Sequence, residues 1–363
     1  MRVAILGAGH GGTAASIDLS LRGFGVTLCS AINPSHIAPL KRNKGVINYS
    51  GEFGSGSVQV QVTNSVRNAV EDADVIMITT PSTNHEVYAR ILGKSLRTPK
   101  PILLNGCTTG GAIYVQRILR ECGLSDPVVC EMNTLAYVSR LEDPTHVHIY
   151  HKMDHLLLAI FPSKFVDKTV GIMKEIYPEV ELAKTVLETS LSNVNMLMHP
   201  PGVVLNAGWI EFTRGGFYFY SQGVTPAVGK VIERVDEERM TILRRMKLRY
   251  QPLVALLYKL GLTTVSDGSI YDALQASDAN RTIKAPAGLN HRYLVEDVQY
   301  GLVPMASIAG EVGIETRTTH SLIDLACVLT HTNHWRKGLT VEKLGIKGIG
   351  LKGFQKYLYE GSA

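Results

Sequence analysis

The first twenty-one residues constrain the fold more than any other stretch. Residues 2–6 (Arg-Val-Ala-Ile-Leu) form a short apolar run of buried-strand type. Gly7-Ala-Gly-His-Gly-Gly12 follows without a spacer, and residues 13–21 carry helical periodicity. Strand, G-x-G-x-x-G, helix is the order in which a dinucleotide-binding unit is built. Gly7 makes the tight turn, Gly9 lets a pyrophosphate approach the backbone, and Gly12 lets the helix pack on the strand. The helix N-terminus, with His10 and Gly11 at its mouth, then turns its unpaired amides toward the phosphates. The N-terminal part therefore reads as an α/β domain of Rossmann type.

Residues 25–29 are the second strand, and Ser30 stands at its end, where an acid would hold a ribose 2′-hydroxyl. The next acid is Glu52. Nothing there repels a 2′-phosphate, Ser30 is able to donate to one, and Lys41 or Arg42 can supply charge. The reading favours NADP and leaves NAD open; the plain alternative is that both basic residues are solvated surface. Residues 46–62, with a Gly/Ser-rich centre, read as an inserted hairpin. Residues 74–80, 101–105 and 128–131 are further buried strands. In open α/β sheets ligands bind beyond the carboxyl ends of the strands. That places Pro81, Asn105 and Thr108 over the coenzyme, and Glu131 and Thr134 toward the nicotinamide or substrate. Each of these is also an ordinary loop residue when taken singly. Residues 156–161 close the sheet, 167–177 form a helix and 178–182 an edge strand.

Composition excludes several classes. Net charge is +5, from 37 basic and 32 acidic residues without a long basic block, which argues against nucleic acid and suits small anions. No apolar run approaches the roughly 18 residues of a membrane span. The five cysteines contain no C-x-x-C and read as reduced thiols, and the N-terminus shows no signal peptide, so a cytoplasmic protein is expected. His146, His148, His151 and His155 invite a metal reading. With the first two on one strand face and the last two on a helical turn, no secondary structure gathers all four, so no metal is expected.

From residue 187 the pattern becomes helical. The division expected is a Rossmann domain over 1–185 and an all-α domain over 186–363. Residues 189–201, read as one helix, put Ser192, Asn195 and His199 on a single face inside an apolar segment. A buried polar line is costly unless something pairs with it. Pro200 and Pro201 should place His199 at the helix end or at a kink, offering its imidazole to a cleft. The bland alternative is a core helix whose polar residues cap its neighbours. Phe217-Tyr-Phe-Tyr220 reads as core. Residues 225–240 form a long helix, capped by Thr225 with Pro226 at its first position. Asp297 should face inward on a short helix over 293–301. Arg292 converges with it only from the preceding loop; otherwise it pairs with Glu296. Residues 337–359 read as a capping helical hairpin.

These segments together are similar to the opine dehydrogenase family of the octopine/nopaline type. The resemblance covers essentially the whole chain. It rests on Gly7-Ala-Gly-His-Gly-Gly12, on Thr189-Ser-Leu-Ser-Asn-Val-Asn-x-x-Met-His-Pro200, and on Gly223-Val-Thr-Pro-Ala-Val-Gly229 with Val235-Asp-x-Glu-Arg239. Arg292-Tyr-x-x-Glu-Asp-Val-x-x-Gly-Leu-Val-Pro304 and Leu339-Thr-x-Glu-Lys-Leu-Gly345 complete it. The resemblance implies a Rossmann domain, an all-helical domain and an active site between them. It implies NAD(P)H-dependent reductive condensation of an amino acid with a 2-oxo acid through an imine. His199 matches the family's catalytic histidine, Asp297 its acidic partner and Arg292 its substrate arginine. Asn195, one turn before His199, is expected as a further substrate contact, donating to the substrate carbonyl, or as the group that holds the nicotinamide amide. The family's norvaline-type members carry an acid where this chain has Ser30. A hydroxy-acid dehydrogenase of the same plan and a non-catalytic NADP-binding regulator remain alternatives, and a homodimer is compatible with the sequence.

Overall fold

The computed structural model describes residues 1–362. By packing it divides into two units: Met1–Cys107 with Gly111–Val186, and Thr108–Gly110 with the chain from Leu187 onward.

The first unit carries the strands β1 (Arg2–Leu6), β2 (Gly25–Cys29), β3 (Val46–Gly51), β4 (Gly56–Gln59), β5 (Gln61–Thr63) and β6 (Val75–Ile78). They are followed by β7 (Ile102–Leu104), β8 (Val129–Met132), β9 (Tyr137–Asp143), β10 (His146–Lys152), β11 (Leu157–Phe161) and β12 (Glu181–Leu182). Its helices are α1 (His10–Leu21), α2 (Pro34–Arg42), α3 (Val66–Val70), α4 (His85–Ser95), α5 (Gly111–Glu121) and α6 (Val166–Ile176). The main sheet has the order β12-β11-β8-β7-β6-β1-β2-β5. From β5 to β8 every pairing is parallel; β11 then runs antiparallel to β8. Parallel strands covered on both faces must be apolar without interruption. β6, β7 and β8 are buried at every position, as is β1 beyond Arg2. The strand order reverses between β1 and β6, and at such a switch point a crevice forms for a ligand. The Rossmann-type reading of the N-terminal part is thus the observed architecture.

A second sheet has the order β4-β3-β10-β9, and the sequence pattern shows only part of it. The hairpin expected over residues 46–62 is β3 with β4, while β5 leaves it for the main sheet. β9 and β10 carry half-exposed, mixed side chains, so their pattern does not declare a strand. His151 belongs to β10 rather than to a helical turn. His146 and His148 share the Ser50 hydroxyl, at 3.2 and 2.8 Å. This sheet is tied to the glycine loop: the Leu141 amide donates to His10 Nδ1 at 2.8 Å.

The second unit is helical, its one strand-like feature among the described residues being an isolated bridge between Tyr218 and Lys284. It contains α7 (Val186–Ser190, its first residue counted with the sheet unit), α8 (Asn195–Leu205), α9 (Ala207–Thr213), α10 (Pro226–Arg245), α11 (Leu253–Lys259) and α12 (Ile270–Gln275). α13 (Arg292–Asp297), α14 (Val303–Glu311), α15 (Arg317–Leu329), α16 (His334–Lys337), α17 (Val341–Leu344) and α18 (Gly350–Glu360) follow. A π-helical turn, Val298–Leu302, joins α13 to α14. α10 is the organising helix. Thr225 accepts the Val228 amide at its start, as expected. Three buried charges along it then serve other elements. Asp236 accepts the Leu253 amide, which opens α11 (2.8 Å). Glu238 accepts the amides of Thr318 and Thr319 in the first turn of α15 (2.8 and 3.0 Å). Arg239, wholly buried, bonds Asp236 (2.7 Å), the Leu191 carbonyl (2.9 Å) and the Gln251 carbonyl. Helix starts have unpaired amides, and a carboxylate answers both their hydrogen-bonding need and their dipole. Among the described residues no helix is long and apolar enough to cross a membrane.

His85 opens α4 and is buried, with its Nε2–H donating to the Thr80 carbonyl at 3.2 Å. Burial pushes its pKa down to about 4 in spite of that bond. Between about pH 6.5 and 4 the unfolded chain therefore binds a proton that the folded chain refuses, so stability falls as pH falls through that window. Unfolding in urea at pH 7 and at pH 4.5 should show wild type losing about 2 kcal/mol more than His85→Asn. An equal loss in the two proteins would remove His85 as the cause.

Candidate active site

The stretch 189–201 is not one helix. α7 ends at Ser190, and α8 begins at Asn195. Ser and Asn side chains compete for backbone groups, and here they win. Asn193 Oδ1 accepts the Asn195 amide at 2.9 Å, which starts α8. Arg239 takes the Leu191 carbonyl that a continuous helix would have used. Ser192 therefore does not share a helix face with His199. The prolines also behave differently from expectation. Pro200 and Pro201 lie inside α8, so His199 sits mid-helix rather than at its end. A following proline biases a residue away from the α region without forbidding it. Burial of α8 from Met196 to Val204 overrides that bias.

The consequence is a histidine held on every side. His199 is 3% exposed and Asp297, the last residue of α13, 1%. His199 Nδ1 lies 2.7 Å from Asp297 Oδ2, and Nε2 lies 2.7 Å from the Tyr220 hydroxyl. The Tyr293 ring stacks on the imidazole, centroids 3.7 Å apart and planes 13° from parallel. Phe219 meets it edge-on at 6.0 Å. An ionised carboxylate only accepts, so Nδ1 carries a hydrogen and Nε2 is the nitrogen that meets Tyr220. Burial first, then the neighbouring Tyr293 and Asp297, hold the Tyr220 phenol far above its ordinary pKa, so it stays protonated.

Arg292 opens α13 instead of belonging to the loop, and its Nε donates to Glu296 at 3.1 Å. Burial would lower its pKa, but Glu296 and Asp297 outweigh that and raise it. Its side chain keeps about half its surface exposed (55%), and it lies five residues before Asp297 on the same helix, so the loop placement expected for their convergence is not found. Asn195 is half-buried at the start of α8, one turn before His199.

Around the glycine loop the sequence expectations meet a built cradle. Gly7 adopts φ +124°, and a side chain at Gly12 would stand 1.8 Å from the Gly7 carbonyl oxygen. At Gly9 a side chain would project into open space, the room a phosphate needs. The Thr13 and Thr80 hydroxyls beside this loop are buried with no hydrogen-bond partner. Such groups are rare unless a ligand or water answers them, so the cradle fits a dinucleotide. Gly11 is buried behind the loop; Arg42 and Pro81 are exposed. Ser30 is buried, with its hydroxyl donating to the Asn33 carbonyl at 2.8 Å.

Two expectations on the sheet edge fail. Asn105 spends its amide inside the unit, donating to the Tyr177 hydroxyl (2.8 Å) and accepting from the Ala136 amide (3.0 Å). Glu131 is completely buried and accepts the Ala112 amide at the start of α5 (3.0 Å), so its carboxylate caps a helix rather than meeting a ligand. Thr134 is buried after β8, and Thr108 packs with the helical unit, beside Thr109, which bonds the Met196 sulfur (3.1 Å).

Comparison with known proteins decides the family. Residues 182–330 match the family model described as NAD/NADP octopine/nopaline dehydrogenase, alpha-helical domain. The chain is 33% identical to the opine dehydrogenase of Arthrobacter sp. (strain 1C) over 353 residues, 97% of each protein. The chain belongs to the opine dehydrogenase family. It is accordingly an oxidoreductase acting on CH–NH groups. Octopine dehydrogenase in complex with NADH and agmatine has the same fold, with TM-score 0.79 at 17% identity, covering 100% of this chain and 98% of that one. So does NADP+-bound yersinopine dehydrogenase, with TM-score 0.74 at 15% identity and coverage of 99% and 98%.

Sequence reasoning missed Tyr220 and Tyr293 in the enzyme. Tyr220 sits in an aromatic run that reads as core, and Tyr293 lies between the conspicuous charges of the Arg292–Pro304 motif. The available signal was a hydroxyl at the end of an apolar cluster, since a buried phenol needs a partner. Arg239 shapes this site from a distance through Leu191. Arg239→Ala takes the cation from buried Asp236 and the donors from the Leu191 and Gln251 carbonyls, and urea unfolding should show a loss of about 3–5 kcal/mol. A change below about 1 kcal/mol would mean the α7–α8 break holds itself.

Proposed function

We propose that the enzyme condenses an amino acid with a 2-oxo acid such as pyruvate, through an imine, to an N-(carboxyalkyl)amino acid, with His199 as general acid–base group. The observation that carries this is the buried Asp297–His199 pair at 2.7 Å. Imine formation and reduction both move protons at one centre, and an imidazole whose Nδ1 is fixed by a carboxylate has a defined nitrogen, Nε2, to move them with. When bound, the reduced nicotinamide coenzyme supplies the hydride for the C=N bond. Gly7, Gly9 and Gly12 would hold its pyrophosphate, with Thr13 and Thr80 supplying hydroxyls. Arg292, only half-covered, suits bidentate capture of a substrate carboxylate. Asn195 and Thr134 are further polar contacts for the substrates.

NADP is the favoured coenzyme. No acid follows β2, and Arg42 in the last turn of α2 is an exposed cation. Ser30 is the weaker candidate, because its hydrogen is committed to Asn33. Five free cysteines, three of them buried, suit a reducing cytoplasm.

Coenzyme oxidation should require amine and oxo acid together, measured as a matrix of pairs with NADPH and NADH. Oxidation with pyruvate alone would reject condensation in favour of a hydroxy-acid dehydrogenase. Arg42→Ala should erode the NADPH preference; if NADH is preferred from the outset, the coenzyme assignment is wrong. His199→Ala should lower kcat by about a hundredfold or more with coenzyme affinity unchanged, and a fully active variant would take His199 out of the mechanism.

A further inference from the structure

His199 is sealed. Its two nitrogens are engaged by Asp297 and Tyr220, one face lies under Tyr293, and 3% of its surface is exposed. A general acid–base group in that position must either shed a neighbour or work through one. Tyr220 is itself only 4% exposed, and besides Nε2 its hydroxyl has a second hydrogen-bond partner, the side chain of Tyr293. Tyr293 is half-buried, the outermost member of the set. Its ring is fixed by the stack on His199 and by the edge of His291, centroids 4.7 Å apart at 84°.

We propose that Tyr220 and Tyr293 form a hydroxyl relay that carries protons between His199 Nε2 and the open side of the helical unit. The inference rests on the general acid–base reading of His199. Outward, the Nε2–H bond breaks as the Tyr220 oxygen takes that proton. Tyr220 passes its own hydrogen to the Tyr293 oxygen, and Tyr293 releases its hydrogen to the acceptor outside, water or substrate. Inward, each step reverses. No atom or charge is left on either phenol at the end of a transfer.

The chain is satisfied in both states of the imidazole, which is what a relay needs. With His199 protonated, Nε2–H donates to Tyr220, which donates to Tyr293. With His199 neutral, Asp297 keeps the hydrogen on Nδ1, Tyr220 turns to donate to Nε2, and Tyr293 donates to Tyr220. A hydroxyl is donor and acceptor at once, so both arrangements use the same positions. Tyr220 held as a neutral phenol by its burial is consistent with this. Phenylalanine fills the same space and cannot pass a proton.

The test compares Tyr220→Phe, Tyr293→Phe and His199→Ala in the full-length enzyme, with the amine and oxo acid pair that gives turnover. For a relay, Tyr220→Phe lowers kcat by about tenfold or more, leaves KM for the coenzyme unchanged, and raises the solvent deuterium isotope effect on kcat. Tyr293→Phe changes the same quantities in the same direction and serves if the Tyr220 variant does not fold. Unchanged isotope effects in the folded variants overturn the relay, whatever happens to kcat. So does kcat held or raised in Tyr220→Phe, which would mean that Nε2 works directly once uncovered. His199→Ala separates the two readings: full activity there removes the acid–base assignment itself, while its loss beside an indifferent Tyr220→Phe removes only the relay.

Discussion

A carboxylate removed from water needs a partner with a matching hydrogen, and Asp297 has the imidazole of His199 at 2.7 Å. With the Tyr293 stack on the same ring, that contact joins α8 to α13 across nearly a hundred residues of chain. Breaking it would leave a buried charge unpaired, which is far more costly than never having placed it there. The two helices are therefore locked in register by the same bond that selects the imidazole's tautomer. Tyr293 on the ring face and Tyr220 on Nε2 complete the enclosure. Precision at the site and stability of the helical unit come from one set of atoms.

The rest of that unit serves this arrangement. A run of thirteen residues could have been one long helix, and then Asn195 and His199 would present a different face. The break after Ser190 prevents it, and Arg239 holds the break open from α10. The same stretch of α10 supplies Asp236 to the start of α11 and Glu238 to the start of α15. The motif Val235-Asp-x-Glu-Arg239, which looks like a charged helix surface, is an internal set of clamps. None of its three charges can be changed without freeing a helix end or a buried carbonyl.

The sheet unit divides its labour differently. Its strands are interchangeable apolar runs, and the chemistry lies in the glycine loop and the threonine hydroxyls beside it. Glycine matters at two places there for distinct reasons: Gly7 for its φ of +124°, Gly12 because any side chain would strike the Gly7 carbonyl. Glu131 and Asn105 show the limit of reasoning from strand ends. Both stand at the predicted edge, yet both are consumed by backbone groups of neighbouring elements, Ala112 and Ala136. Position along a strand says which edge a residue occupies; it does not say which unmet hydrogen bond lies nearest.

By itself the sequence determined the α/β-then-α plan, because short uninterrupted apolar runs, period-3.6 apolar patterns and a G-x-G-x-x-G between them are local properties. It also marked His199, since a polar group within an apolar stretch is conspicuous wherever it ends up, whereas Asp297 and Arg292 stood out only through the family resemblance. Only the tertiary structure decided that Tyr220 and Tyr293 enclose that histidine, that the prolines continue α8, and that β9 and β10 join the inserted hairpin. Those outcomes depend on contacts between residues distant in the chain. There burial overrides a proline's local bias, and a phenol's partner is chosen by packing that no window of sequence contains.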